Sequence, residues 1–381
     1  MMEEHVDVAV VGAGFAGLAL ASLCADAGMS VVVLERRPAL APEGVGLVLQ
    51  PNGLAVLDRL GVVDEVVETG QRITEGRQCD PSGRVRACAS YAELDHPHPY
   101  IVTVERTKVI GILAGRLPPG ASLRTGCTAT SLDGTTLHYR DADGEPRALT
   151  AACVVGADGR NSVIRQQLGS RSRWVTGPDR YVIGIAPVPP PHDAAVLYCG
   201  RGWCDGVLPY GDQTYFFDHV VDDSAAAVDA GDFDAWREVL AARVAYGAAI
   251  AESLDSFEDV GFLSGRTHRS LPRVGPGIAL IGDAAQAVHP HNGQGANLAL
   301  EDALCLGDLL TKHGPSSETV LREFAKRRDA KARRQVPYSI LIGRIFDGPN
   351  PAWRALRTFG YQLAKIPTVR HQTTRRQAGL G

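Results

Sequence analysis

A β-branched run, Val6-Asp7-Val8-Ala9-Val10-Val11, leads without a spacer into Gly12-Ala13-Gly14-Phe15-Ala16-Gly17. From Leu18 to Ala27 small and apolar residues recur at helical spacing, Gly28 ends that helix, and Ser30–Leu34 forms a second apolar strand finishing at Glu35. A strand, a glycine-rich turn, a helix and a second strand within about thirty residues commit the chain to an α/β architecture with a parallel sheet. Gly12 permits the tight turn, Gly14 lets backbone approach a pyrophosphate, and Gly17 lets helix and strand pack closely. The helix start adds unpaired N–H groups and the positive end of its dipole. Glu35, eighteen residues beyond Gly17, can accept from both ribose hydroxyls, which a 2′-phosphate would oppose. The unit selects an adenine dinucleotide, and its spacing does not separate FAD from NAD.

Two later segments repeat the style. Val154-Val155-Gly156-Ala157-Asp158-Gly159 and Ile278-Ala279-Leu280-Ile281-Gly282-Asp283 each place a carboxylate at the end of an apolar strand, where open α/β sheets gather ligands. Either aspartate alone could equally cap the next turn. With Glu35 they are expected to converge on one cofactor. Between these segments the pattern predicts an amphipathic helix over 51–69, a sheet excursion over 71–99, a helix over 104–116 and short strands over 121–155. Residues 172–272, richer in proline and aromatics, read as a second, sheet-based domain. A helix is expected over 296–311, and from 318 onward a helical, basic tail whose Lys326-Arg327-Arg328 and Lys331-Ala332-Arg333-Arg334 runs read as a solvated face.

Composition narrows the function classes. The 381 residues are 45% hydrophobic and 22% charged, which excludes a disordered chain or a coiled coil. A net charge of −4 offers no general attraction to nucleic acid or anionic lipid. The eight cysteines form no C-x-x-C pair, so no metal site is expected and reduced thiols in a cytoplasmic protein are. No apolar run is long enough to span a membrane, and Glu3 and Glu4 stand where a secretory signal needs positive charge.

Four motifs in order over roughly 6–310 resemble the single-component FAD-dependent aromatic hydroxylases with the para-hydroxybenzoate hydroxylase fold. They are V-V-G-A-G-F-A-G-L with Glu35, Arg106 in V-E-R-T-K-V-I, G-A-D-G-R-N-S-V-I-R at 156–165, and L-I-G-D-A-A-Q-A-V-H-P-H-N-G-Q-G-A-N-L-A-L-E-D-A at 280–303. The resemblance implies a Rossmann-like (GR2-type) FAD-binding domain from residues 1–70, 100–171 and 273–325. It is interleaved with a substrate-binding sheet domain from 71–99 and 172–272, and a helical segment at 326–381 completes the chain. By the same resemblance Gly12, Gly14 and Gly17 hold the FAD pyrophosphate and Glu35 the adenosine ribose, with Phe15, Ala16 and Arg36 as further cofactor-binding candidates. Arg106 and Asp158 contact cofactor, Gly282 and Asp283 take the ribityl or pyrophosphate side, and Gly46 and Leu47 in P-E-G-V-G-L line the pyrimidine edge of the flavin.

The loop Pro290 to Asn297 adds a physical argument. It feeds a helix whose N-terminal amides, in the Gly293, Gly295, Ala296 and Asn297 stretch, would face the part of the flavin that becomes negative on reduction. Pro290 resembles the family proline beside the oxygen site. Many relatives carry His after G-D-A-A where this chain has Gln286, so His289 is a candidate for a displaced imidazole.

The implied chemistry is reduction of FAD by NADH or NADPH, reaction with O2 to a flavin C4a-hydroperoxide, and hydroxylation of an aromatic or heteroaromatic small molecule. On the substrate side the candidates are Arg201, Tyr210, Tyr215, Phe217 and His219. Period-2 alternation puts Tyr215, Phe217 and His219 on one face of a strand, with Tyr215 also a catalytic candidate. The four tryptophans stand alone, which sets aside the W-x-W-x-I-P of flavin halogenases. A double-bond reductase of the geranylgeranyl-reductase type and a non-catalytic FAD-fold metabolite binder stay open here. Either a monomer or a homodimer is compatible with the sequence.

Overall fold

The computed structural model describes residues 4–40, 45–175, 180–244, 246–348 and 350–381. Strand Glu4–Val11 lies at the centre of a sheet, parallel to Pro146–Gly156 on one side and Val31–Leu34 on the other. Ile278–Leu280 extends it past Pro146–Gly156, and Ala121–Arg124 extends it past Val31–Leu34, both in parallel. Val8, Ala9 and Val10 are fully buried, as expected of a central parallel strand covered on both faces. Register is the feature that matters for function. Val11 is paired with both Gly156 and Leu34, and Gly156 with Leu280, so four strands end in one row.

Helix Phe15–Asp26 is buried from Phe15 to Ala25 and packs against helix Gly295–His313. The approach is close because both surfaces are small: a Cβ on Gly307 would lie 3.0 Å from Leu23. The stretch expected as one helix over 51–69 is two, Pro51–Arg59 and Val63–Glu68, because Gly61 turns the chain with φ +72°. The expected helix over 104–116 begins at Arg106, and Ile101–Glu105 before it is the central strand of a small sheet with Gly46–Leu49 and Gln71–Ile73.

A second large sheet runs in the order Val260–Ser264, Arg180–Ala186, Gln213–Val220, Cys204–Tyr210, Ala195–Cys199, Glu75–Cys79, Val85–Ser90. Its pairings are antiparallel except that of Ala195–Cys199 with Glu75–Cys79. Residues 71–99 thus reach the same sheet as part of 172–272, although 176–179 lie outside the described residues.

The tail forms helices Glu318–Phe346, Pro351–Leu363 and Pro367–Gln377. The basic run is only partly solvated. Lys326, Arg327, Arg333 and Arg334 are exposed, but Arg328 is buried and bonded to Glu301 and Asp302 of the helix beneath, and Lys331 reaches Glu301 at 2.6 Å. Charges on the inward face of this helix are taken up by carboxylates of the neighbouring helix Gly295–His313, a pairing invisible to local composition.

Candidate active site

The aligned strand ends put Gly12, Glu35, Asp158 and Gly282-Asp283 along one edge of the parallel sheet. The three glycines of the first turn have separate tasks. A Cβ on Gly12 would sit 2.5 Å from the Ala157 carbonyl oxygen, and one on Gly17 would sit 1.9 Å from that of Gly12, so both are demanded by packing. A Cβ on Gly14 would meet nothing within 4 Å, because that side faces a cavity.

The cavity has a volume of about 460 Å³, within the range of small-molecule sites. Gly14, Phe15 and Ala16 form one end with Arg106, Gly282 and Asp283. Gly46, Leu47, Pro290, Gly293, Gly295 and Ala296 form the middle. Tyr215 and Phe217 lie in the wall supplied by the second sheet, with Ile183, Leu197 and Leu208. The same wall contains residues without a sequence signal, notably Tyr91 and Val288, and Arg160 follows directly on the Asp158-Gly159 turn.

Two helices begin at this cavity, Phe15–Asp26 and Gly295–His313. Neither start has a side-chain cap or an acidic residue in its first turn, so free amides and positive dipole ends face the space. These features suit a molecule with a pyrophosphate at one end and an electron-rich ring at the other. Glu35 is half-buried and does not line the cavity: its Oε2 accepts from the Ala13 N–H at 2.9 Å and its Oε1 from the Arg37 N–H at 3.0 Å, which fixes the carboxylate beside the first turn. Arg36 beside it is exposed and does not line the cavity.

Several candidates lie just behind the wall. Asp158 receives the N–H of Val163 at 2.7 Å and so caps the helix Val163–Gln167, while its neighbours Ala157 and Gly159 line the cavity. Asn297 is a fully buried staple: Oδ1 accepts from the Gln50 N–H at 2.9 Å, and Nδ2 donates to the carbonyls of Gly293 at 2.6 Å and Val48 at 3.2 Å. It ties strand Gly46–Leu49 to the loop before the second helix. Asp283 pairs with Arg160 at 3.0 Å. His268 donates from Nε2 to the Asp283 carbonyl at 3.0 Å, and burial pushes its imidazole down to about 4, so it is neutral at pH 7.

Gln286, the residue after Gly282-Asp283-Ala284-Ala285, turns away from the cavity. Its Oε1 accepts from Arg273 at 2.7 Å, and Arg273 also pairs with Asp302 and Asp329. Asp302 in turn accepts the Gly282 N–H at 2.9 Å, so this buried network braces the Gly282-Asp283 turn.

The substrate-side candidates divide. Tyr215 packs its ring under Gly46, where a Cβ would come within 2.4 Å, and burial raises its phenol far above the ordinary range. Phe217 lies beside it in the wall. His219 shares their face of the strand but sits further along, stacked on Tyr181 with ring centroids 4.8 Å apart. Tyr210 is not in the cavity wall: its hydroxyl donates to Glu105 at 2.7 Å and receives the Lys108 ammonium at 2.6 Å. Arg201 is exposed at a hairpin tip between Cys199 and Cys204. His289 is buried behind the Pro290 turn, its Nε2 3.5 Å from the Tyr181 hydroxyl, and is not in the wall either.

Residues 5–339 match the family model described as "FAD binding domain". The chain belongs to the FAD-dependent aromatic hydroxylase family. It is 33% identical to kynurenine 3-monooxygenase of Salinispora arenicola over 86% of this chain and 77% of that one. It is 29% identical to 6-methylpretetramide 4-monooxygenase of Streptomyces rimosus over 96% of this chain and 90% of that one. The crystal structure of p-nitrophenol 4-monooxygenase PnpA from Pseudomonas putida DLL-E4 shares the fold, with a TM-score of 0.84 at 20% identity over 99% of both chains. Among the described residues no helix is long and apolar enough to cross a membrane.

Proposed function

We propose that this flavoprotein monooxygenase uses NADH or NADPH and O2 to place one hydroxyl group on an aromatic or heteroaromatic small molecule, releasing the second oxygen atom as water. The observation that carries this reading is the continuity of one cavity from the phosphate-type helix start at Gly14 to the aromatic wall at Tyr215 and Phe217. The relatives reported above are named as monooxygenases, which favours oxygen transfer over the reductase and binder alternatives. FAD, when bound, supplies the redox chemistry: it takes a hydride from the nicotinamide and passes the electrons to O2.

The chain's own residues bind, orient and exclude water. In this reading the amides at Gly14, Phe15 and Ala16 take the pyrophosphate, Glu35 the ribose hydroxyls, and Asp283 and Arg106 the central portion. The Gly46-Leu47 backbone and the Gly293 to Ala296 helix start hold the two edges of the ring system. Pro290 shapes the oxygen side. Leu197, Leu208, Ile183, Tyr215 and Phe217 keep the space dry, which strengthens every dipole aimed into it. Tyr215 is the hydroxyl-bearing side chain we assign to orient the substrate ring.

We divide the chain as the motifs suggest: 1–70, 100–171 and 273–325 for FAD, 71–99 and 172–272 for substrate, and 326–381 as a helical brace. We read the eight cysteines, which form no C-x-x-C pair, as reduced thiols of a cytoplasmic protein. The test is a panel of aromatic acids, phenols and heteroaromatics offered with NADH or NADPH. A compound that stimulates NAD(P)H oxidation and gains one oxygen by mass spectrometry supports the reading. FAD binding with no stimulated oxidation across the panel would oppose it.

A further inference from the structure

The hairpin between strands Ala195–Cys199 and Cys204–Tyr210 is closed by two cysteines that face each other. Cys199 is paired directly with Cys204 in the antiparallel register. At the tip the Gly200 N–H donates to the Trp203 carbonyl at 3.0 Å. The next pair along, Cys199 with Cys204, is therefore of the non-hydrogen-bonded kind, in which opposed Cα atoms approach to about 4.5 Å. The two Sγ atoms are 3.4 Å apart. A disulfide asks for Cα atoms about 4.4–6.8 Å apart and side chains that converge, so neither strand has to move for one to form. Both thiols are free and buried.

The two thiols are not equivalent. Cys199 accepts from the Cys204 thiol and faces the Arg357 guanidinium and the Tyr361 hydroxyl, which hold it below the ordinary thiol range against its burial. Arg357 is itself fixed there, donating to the carbonyls of Gly200 at 2.7 Å and Phe346 at 2.8 Å. Burial pushes Cys204 the other way, and the Cys199 sulfur adds to this with two carboxyls, Asp347 and Asp205. Asp347 is the buried residue that follows Phe346, and its Oδ2 accepts from the Tyr181 hydroxyl at 2.8 Å. One sulfur is thus set up as the nucleophile, with a protonated partner in contact with it. The pair lies behind the cavity wall. Leu197, two residues before Cys199 and so on the same strand face, packs against both cysteines and lines the cavity.

We propose that Cys199 and Cys204 form a reversible dithiol–disulfide site that takes hydrogen peroxide as its oxidant, with Cys199 the attacking sulfur. The Cys199 thiolate attacks one oxygen of the peroxide, the O–O bond breaks, and the hydroxide that leaves takes up the proton Cys199 had given up, becoming water. Cys204 then attacks the sulfenic sulfur on Cys199. The S–S bond forms, the S–O bond breaks, and the Cys204 proton leaves with the hydroxyl group as a second water. Each sulfur has given up one electron, and the peroxide has been reduced to two molecules of water. In a reducing cytoplasm such a bond is transient, and thiol reductants return the pair to its resting form. The pair is complete without bound FAD, so its chemistry is independent of the flavin reading.

The experiment is a hydrogen peroxide titration of the full chain as purified, after reduction and desalting, with every remaining thiol then alkylated in denaturant. Trypsin cuts after Arg201, between the two cysteines, so the bond is read by mass spectrometry as a linked pair of peptides, 181–201 and 202–237. Peroxide is expected to remove two of the eight thiols from alkylation at a concentration that leaves the exposed Cys88 free, and dithiothreitol to restore both. In Cys204→Ser the linked peptides are lost and dimedone traps Cys199 as its sulfenic acid. In Cys199→Ser, Cys204 reacts at least about ten-fold more slowly than Cys199 does in Cys204→Ser. Oxidation of Cys88 before the pair overturns the proposal. So does a wild-type Cys199 carried to its sulfinic acid with no linked peptides, or a link that forms only in the denatured chain. Equal trapping of Cys199 and Cys204 in the two serine variants overturns the assignment of the attacking sulfur. If neither variant folds, the wild-type peptide map decides alone.

Discussion

Gly14 and Gly17 stand three residues apart in one motif, yet the structure assigns them opposite sensitivities. Gly14 has φ −88° and ψ −171°, extended backbone that any residue adopts, and its Cβ direction is open into the cavity. Gly14→Val should therefore leave the apo protein within about 1 kcal/mol of wild type, the scale of changing a helix N-cap. For a chain of this size that is a shift of only about 1–2 °C in Tm. The added side chain occupies the space where phosphate oxygens would meet backbone N–H groups. A hydrogen bond to a charged group contributes about 1.5–3 kcal/mol, so losing one or two corresponds to roughly 100-fold weaker FAD binding. Gly17→Ala should behave in reverse, because its Cβ would collide with the Gly12 carbonyl at 1.9 Å and neither backbone can yield cheaply. Its apo form should lose about 1–3 kcal/mol or more. The assay is isothermal titration of apo protein with FAD, beside thermal melts without FAD. Gly14→Val that binds FAD normally would refute the phosphate assignment, and an apo melt as damaged as that of Gly17→Ala would refute the division of tasks.

Asn297→Ala should lower both Tm and FAD affinity, since the Gln50 N–H and the Gly293 and Val48 carbonyls lose their shared partner at about 1–3 kcal/mol in total; an unaltered melt would show the staple to be dispensable. Tyr215→Phe should slow hydroxylation more than flavin reduction in stopped-flow traces, and equal slowing of both would remove the phenol from substrate orientation. Asp347 is held below its unfolded value of about 3.9, so its contribution to stability is present above that pH and disappears as pH falls through the lower folded value. The stability gap between wild type and Asp347→Asn should accordingly close on acidification, as urea melts from pH 7 downward can read; a gap that widened would reverse the assigned charge.

The parts of the molecule at the aligned ends of the parallel strands were legible because each is a short apolar strand followed by a residue type with one purpose. Gly12, Asp158 and Gly282-Asp283 follow strands whose ends are in register, and that convergence was foreseeable from three similar segments. The substrate side was legible only in outline. Alternation placed Tyr215, Phe217 and His219 on one face, but not how far the cavity extends along the strand, and His219 lies past its end against Tyr181. Tyr210 and Arg328 were misjudged because their partners, Glu105 with Lys108 and Glu301 with Asp302, come from other elements. The single helix expected over 51–69 missed the left-handed turn at Gly61, which interrupts an otherwise continuous apolar face.

The most direct measurement is the flavin content of the purified protein, by visible spectrum and by chromatography of the released cofactor, with FAD added back to any apo fraction. The account predicts a yellow protein carrying or taking up one FAD per chain. A colourless protein that takes up none would contradict it.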